Sequence, residues 1–171
     1  MPTAKLPPAD VPDVANIAPV DARLNLRRPR VIAAALSAMA GVVHLWVLPG
    51  HAEESWLYGL FFLVAGLGQL LCALFLLSLH RINVIALLGV VGNGGVLATY
   101  VLSRTVGVPL GPHAWEPEEV AGLDYTTSAA EVLLIGVLVA MLGGPSRRLA
   151  INAVFGLGVV LWVALSFGFG W

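Results

Sequence analysis

The chain has 171 residues, of which 58% are hydrophobic and 11% are charged. Soluble domains have about 45–50% apolar and about 25% charged residues, and the mean hydropathy here is +0.89, so the composition excludes a water-soluble fold. A formal net charge of −1 provides no basic patch, and we expect no nucleic-acid partner. The single cysteine, Cys72, excludes a disulfide within the chain.

The first thirty residues are rich in proline, which favours an extended and weakly structured segment. We expect residues 1–30 to form a disordered cytoplasmic tail, with a clip for a partner protein as the alternative. The segment has no signal-peptide pattern. The apolar stretch that follows it is therefore interpreted as a retained signal anchor.

Five apolar stretches are long enough to cross a bilayer, for which a helix needs about 20 residues and at least about 17. They cover residues 31–48, 56–79, 83–102, 126–142 and 149–171. Turn or charge signals separate them, among them Pro49-Gly50 and the Gly, Pro and Arg residues of 143–148. The sequence thus predicts an all-α polytopic transmembrane bundle of five helices over residues 31–171, with the lipid bilayer as a partner.

The distribution of positive charge predicts the orientation of the bundle, because cationic loops resist translocation. With the N-terminus inside, eight of the nine Lys and Arg residues lie on the cytoplasmic side and only Arg104 lies outside. We therefore predict a cytoplasmic N-terminus and an external C-terminus. The expected location is the inner (plasma) membrane of a bacterium.

The segment between the third and fourth stretches is dense in glycine and proline, and it predicts a short ordered outer loop. Within it, Pro117 is followed by Glu118 and Glu119. Proline in a first turn and acidic residues near a helix N-terminus are both favourable. We expect one short surface helix there.

Histidine and glutamate residues gather near the predicted outer face, and ionisable groups inside a membrane are functional candidates. Imidazole and carboxylate ligands suit zinc or copper. The candidate metal ligands are His44, His51, Glu54, His113 and Glu131. Their spacing matches no diagnostic metal motif, and Pro49-Gly50 is expected to end the helix between the first two histidines.

Arg104 is the one cation predicted outside, among seven acidic residues. Because a guanidinium can pair with several carboxylates, we expect a structural polar network of Arg104, Glu54, Asp124 and Glu131 rather than a catalytic group. Glu131 has a second interpretation, since Ser128 to Glu131 matches the S-x-x-E capping box of a helix start. Both interpretations stay open at this point.

Small and polar residues within the second and third spans favour close helix packing over a solute path. The predicted packing positions are Gly59, Gly66, Gln69, Gly89, Gly92 and Asn93. Glycine at such positions lets two helices approach closely, and the amides can bond between them.

The run Glu54-Ser55-Trp56-Leu57-Tyr58-Gly59-Leu60-Phe61-Phe62, the later Gln69 and the run R-T-V-G-V-P-L-G-P over 104–112 resemble an uncharacterised family of small bacterial polytopic membrane proteins. The resemblance implies no activity. It implies that Glu54, Arg104 and the loop after Arg104 belong to the defining pattern.

The sequence contains no phosphate-binding loop or nucleophile elbow, and we expect a protein that is not an enzyme. The favoured function is a non-catalytic accessory or assembly subunit of a larger membrane complex. Its contacts with other subunits would use the glycine-rich helix faces or the N-terminal tail. The alternatives are a membrane protein that binds a transition metal, copper or zinc, and a small-solute transporter or membrane enzyme.

Overall fold

A computed structural model describes residues 18–78, 81–120 and 122–168 of the chain. The five helices are α1 (Ala18–Glu54), α2 (Trp56–Ser78), α3 (Ile82–Thr105), α4 (Gly122–Met141) and α5 (Gly144–Gly168). Each is long and apolar enough to cross a membrane, and the described ranges contain no strand. The predicted all-α fold of five transmembrane helices is confirmed, while the side of the membrane on which each terminus lies stays a prediction.

The first helix is longer at both ends than the predicted span of 31–48. It begins at Ala18, with Pro19 in the first turn, where the missing N–H has no helical partner to lose. Residues 18–30 are therefore helical, whereas the sequence predicts a weakly structured tail; residues 1–17 of that tail lie outside the described residues. The expectation that Pro49-Gly50 ends the helix is wrong, because α1 continues through Pro49 to Glu54.

The last two helices also begin earlier than predicted. α4 starts at Gly122 instead of 126, and α5 starts at Gly144 instead of 149. Pro145 stands in the first turn of α5, a position that suits its fixed φ angle. The end of the predicted fifth span, 169–171, lies outside the described residues.

The tightest packing in the bundle is between α1 and α2, which a single residue, Ser55, connects. A Cβ on Gly66 would lie 2.8 Å from the Leu45 side chain and 3.1 Å from the carbonyl oxygen of Gly41. A Cβ on Gly41 would in turn lie 2.9 Å from the carbonyl oxygen of Gly66. The two glycines therefore let the helix backbones approach closely.

Most of the buried core lies among α1, α2, α3 and α4, and it includes Ala150 of α5. Leu76, Val90, Leu134 and Leu138 are its largest buried apolar side chains. Most of α5 is exposed at the edge of the bundle. A Cβ on Gly94 of α3 would lie 3.2 Å from the Leu157 side chain, which marks where α5 packs against α3.

The α1–α2 and α3–α4 connections lie at the same end of the bundle, because the Tyr58 hydroxyl donates to the Leu110 carbonyl oxygen at 3.0 Å. Residues 106–120, here called the cap segment, are irregular. The expected surface helix at Pro117 is therefore wrong. In its place the Glu118 N–H donates to the carbonyl oxygen of Ser103 at 2.9 Å, which ties the cap segment to the end of α3.

The contact between Gly41 and Gly66 predicts different effects for two neighbouring substitutions in α2. Gly66→Val should lower the free energy of unfolding by about 1–3 kcal/mol, because the added methyl groups have no room beside α1. Gly68→Val is the control, since a Cβ at Gly68 meets nothing within 4 Å. Unfolding in detergent measures both, and an equal loss in the two variants would contradict the close approach.

Candidate functional site

Among the residues that the structure describes, five polar side chains are buried inside the bundle: Ser37, His44, Gln69, Asn93 and Glu131. Glu131 lies about 14 Å along α4 from its first residue, and Asn93 about 18 Å along α3 from its last. A bilayer core is about 30 Å thick, so these groups lie well within the apolar region. The hydrocarbon around the bundle offers these groups no hydrogen bonds, so each needs a partner within the protein.

The amide of Gln69 joins α2 to both α3 and α4. Its Nε2 donates to Asn93 Oδ1 at 2.9 Å and to Glu131 Oε1 at 3.0 Å. Asn93 Nδ2 donates in turn to the Gly89 carbonyl oxygen at 2.7 Å. Since a carbonyl oxygen can only accept, it fixes the orientation of both amides.

The oxygen of the same amide binds α1 through His44. His44 Nδ1 lies 2.9 Å from Gln69 Oε1 and 2.9 Å from the Ala40 carbonyl oxygen. Both of these atoms are acceptors, so Nδ1 carries the hydrogen and Nε2 is the nitrogen left to face other groups. That Nε2 lies 3.7 Å from Glu131 Oε1, and we call the two residues the His44–Glu131 pair.

Ser37 adds a second bond between α1 and α2. Its hydroxyl donates to the backbone carbonyl oxygen of Gln69 at 2.7 Å. Together these bonds connect four helices through one glutamine.

The His44–Glu131 pair lines a cavity of about 470 Å³ that reaches the cap segment. Apolar and aromatic side chains make up much of its wall, including Phe62, Tyr58 and Tyr100. Every helix except α5 contributes, and the cap segment adds Val108, Leu110 and Glu118. Helices thus line the cavity along its length, and the cap segment lines one end of it.

An ion-pair network lies in the cavity wall near the cap segment. The Arg104 guanidinium pairs with Glu118 and, at 2.9 Å, with Asp124 Oδ2 at the start of α4. It also lies 5.4 Å from the centre of the Tyr100 ring. Because these carboxylates come from the cap segment and α4, Arg104 holds both against α3.

The five candidate metal ligands are placed apart from one another. Only His44 and Glu131 approach, while the His51 ring lies 4.1 Å from the Phe62 ring centre. Glu54 is exposed, and His113 pairs with Glu116 on the exposed cap segment at 3.0 Å. Within the described part of the chain, no three His, Cys, Asp or Glu side chains are placed to hold one metal ion.

The structural network expected around Arg104 has different members. Asp124 belongs to it, and Glu118 takes the position that the sequence assigned to Glu54. Glu131 belongs to the Gln69 network instead. The capping-box interpretation of Glu131 is also wrong, because α4 begins at Gly122, more than two turns earlier.

The predicted packing residues fall into two groups. Added Cβ atoms at three of the glycines would meet close neighbours, namely Ala52 for Gly59, Leu45 for Gly66, and Leu138 with Cys72 for Gly89. At Gly92 a Cβ would meet nothing within 4 Å. Gln69 and Asn93 are buried in the hydrogen-bond network.

The sequence did not identify Ser37 as a member of the Gln69 network, Gly41 as a contact of α2, or Glu118 as a partner of Arg104. Ser37, Gly41 and His44 are spaced four and then three residues apart, which places them on one face of a helix. That helical spacing could have indicated that Ser37 and Gly41 lie on the same face of the helix as His44. Glu118 gave no such signal, because its position depends on the course of the cap segment.

Gln69→Leu should lower the free energy of unfolding by about 1–3 kcal/mol, because it removes the bond to His44 and takes the amide donor away from the buried oxygens of Asn93 and Glu131. The control is Ser78→Ala on the same helix, which removes only a bond to its own helix at Leu74. Denaturant unfolding in detergent measures both. Equal stabilities of the two variants would show that the network does not hold the bundle together.

The comparisons with known proteins add no relative to this picture. No family model matches the chain, and neither a curated protein nor a solved structure matches it. Its own residues therefore carry the argument about function. Five apolar helices, four of which are joined by a buried polar network, make the chain a multi-pass integral membrane protein.

Proposed function

We propose that this membrane protein binds a small molecule in the cavity lined by the His44–Glu131 pair. One observation carries the proposal. Glu131 lies on a membrane-spanning helix, is 1% exposed and has His44 beside it, and both residues line the cavity. Ionisable groups in such positions are expensive, and they mark binding sites and ion pathways.

The alternative role for Glu131 is to hold helices together. Amides serve that purpose without a charge, as Gln69 and Asn93 do here at 2.9 Å. A carboxylate adds a large desolvation cost, and the salt bridges of the described residues pair Glu131 with His44 and with no lysine or arginine. Binding of a ligand explains why a carboxylate stands here although an amide would be enough to hold the helices together.

The cavity has the size and composition of a ligand site. Pockets for small molecules are commonly about 300–1,000 Å³, with mostly apolar walls and a few polar groups that fix orientation. Here the volume is about 470 Å³, the aromatic residues supply apolar surface, and the His44–Glu131 pair supplies the polar groups. Transport or catalysis, if either follows, would start from this bound state.

The proposal can be tested by measuring the unfolding temperature of the protein in detergent with each member of a fragment library. Fragments that stabilise the wild type should lose their effect on Ser128→Phe, because residue 128 lines the cavity and phenylalanine would fill it. Val132→Phe is the matched control, since Val132 lies on the same helix with 58% of its surface exposed. That variant should respond like the wild type.

Two outcomes would refute ligand binding in the cavity. One is a library in which no fragment raises the unfolding temperature of the wild type. The other is stabilisation that Ser128→Phe retains in full, which would place the bound fragments elsewhere.

An accessory or assembly role in a larger membrane complex is the second candidate, and one feature favours it. A groove of about 800 Å³ runs between α2 and α3, and added Cβ atoms at Gly68, Gly92 and Gly95 in it would meet nothing within 4 Å. Small residues on a membrane-exposed face let another helix approach closely. The groove could therefore take a helix of a partner subunit.

Native electrophoresis of membranes solubilised in mild detergent tests the accessory role. The wild type should migrate in an assembly larger than the chain alone, and Gly92→Leu should dissociate it by filling the groove. Gly136→Leu, an exposed position on α4 where a Cβ also meets nothing within 4 Å, is the control. Migration of the wild type at the size of the single chain would exclude this role.

A further inference from the structure

The hydrogen-bond directions of the buried network determine what the His44–Glu131 pair offers to a ligand. His44 Nδ1 donates toward Gln69 Oε1 and the Ala40 carbonyl oxygen, so His44 Nε2 faces the carboxylate with a lone pair when the imidazole is neutral. The 3.7 Å between Nε2 and Glu131 Oε1 is longer than a direct hydrogen bond, which usually spans about 2.7–3.2 Å. Two acceptors thus lie side by side, and they call for a donor.

Gln69 has no further hydrogen to give to the pair. Its Nε2 has two hydrogens, and these go to Asn93 Oδ1 and to Glu131 Oε1. A proton on Glu131 or on His44 would make one member of the pair a donor to the other. A ligand that carries its own N–H donors can take the place of that proton.

The charged residues of the cavity wall also favour a ligand that carries N–H donors and a positive charge. Three carboxylates line the cavity, those of Glu118, Asp124 and Glu131, against one guanidinium. That guanidinium, Arg104, already pairs with Glu118 and Asp124. The wall therefore carries an excess of negative formal charge, which favours a cation over an anion.

Aromatic rings complete the environment of a cation. Phe62, Tyr58 and Tyr100 line the same cavity as Glu131. The faces of such rings attract ammonium groups within about 6 Å, and the attraction is stronger away from water. An amine with an apolar body would meet rings along the wall and a carboxylate at its charged end.

We propose that the cavity binds a small organic cation of the protonated-amine class, whose ammonium group donates to Glu131 and His44. This inference rests on the proposed function, because it names the class of molecule that the cavity takes. Anions would lie beside the Glu131 carboxylate and be repelled. Neutral alcohols could donate one hydrogen bond but would bring no positive charge to the Glu131 carboxylate.

Three probes of nearly equal shape separate these classes: benzylamine, benzyl alcohol and benzoate. Each is added to the full-length protein in detergent, and the unfolding temperature is measured. At about ten times its dissociation constant, benzylamine should raise that temperature by about 3–5 °C. Benzyl alcohol should have a smaller effect and benzoate none.

Two variants locate the binding. Glu131→Gln keeps the shape and the bond from Gln69 but removes the charge, and it should lose the benzylamine shift. Ser128→Phe, which fills the cavity and keeps Glu131, should lose it as well and serves if Glu131→Gln does not fold. Val132→Phe should keep the full shift.

The possible results distinguish this inference from the function on which it rests. If benzyl alcohol or benzoate stabilises the wild type more than benzylamine does, and Ser128→Phe abolishes the effect, the cavity binds ligands but not cations. If Zn²⁺ stabilises the wild type and the three organic probes do not, and if Glu131→Gln loses that effect, the site binds a metal ion and not an amine. If no probe stabilises the wild type, or if Glu131→Gln retains the benzylamine shift, the inference is overturned.

Discussion

The lack of water inside a bilayer is the constraint on which this structure depends, because a polar group there must find its partner in the protein. The protein meets it with a hydrogen-bond network centred on one amide, that of Gln69. Gln69 of α2 bonds to side chains of α1, α3 and α4, and each bond has a fixed direction because the chain of donors ends on the carbonyl oxygens of Ala40 and Gly89. Four helices are thereby set in one arrangement, which apolar packing in lipid would determine only weakly.

The glycine contacts and the polar network depend on each other. Gly41 and Gly66 let α1 approach α2 closely, and His44 lies one turn beyond Gly41 on the same helix. That approach brings the imidazole within hydrogen-bond distance of Gln69. At the other end of the cavity, Arg104 joins the cap segment to α4, so a polar layer lies at each end of an aromatic space.

The residues of the site could be foreseen better than their contacts. His44 and Glu131 stood out because ionisable groups inside a membrane are rare, and Gln69 and Asn93 because amides can bond between helices. Their assembly into one network could not be foreseen, since Gln69 and Glu131 are 62 residues apart and lie on different helices. For the same reason Glu131 was assigned to Arg104, and the metal set combined residues that the fold keeps apart. A loop between α3 and α4 was predicted correctly, but the short surface helix expected within it is wrong, because backbone bonds to the end of α3 outweigh the local helix signal at Pro117.

Sequence alone determined that this is a five-helix membrane protein, because the bilayer sets the length and the composition of any helix that crosses it. It also determined which residues would be unusual at that depth. Only the tertiary structure decided that Gln69 is the hub, that His44 and Glu131 share a cavity, and that Arg104 pairs with Glu118 and Asp124. The physical reason is that lipid tails are as apolar as the helix surfaces, so hydropathy does not specify which faces meet. Close packing at glycines and paired hydrogen bonds make that choice, and both depend on residues distant in the chain.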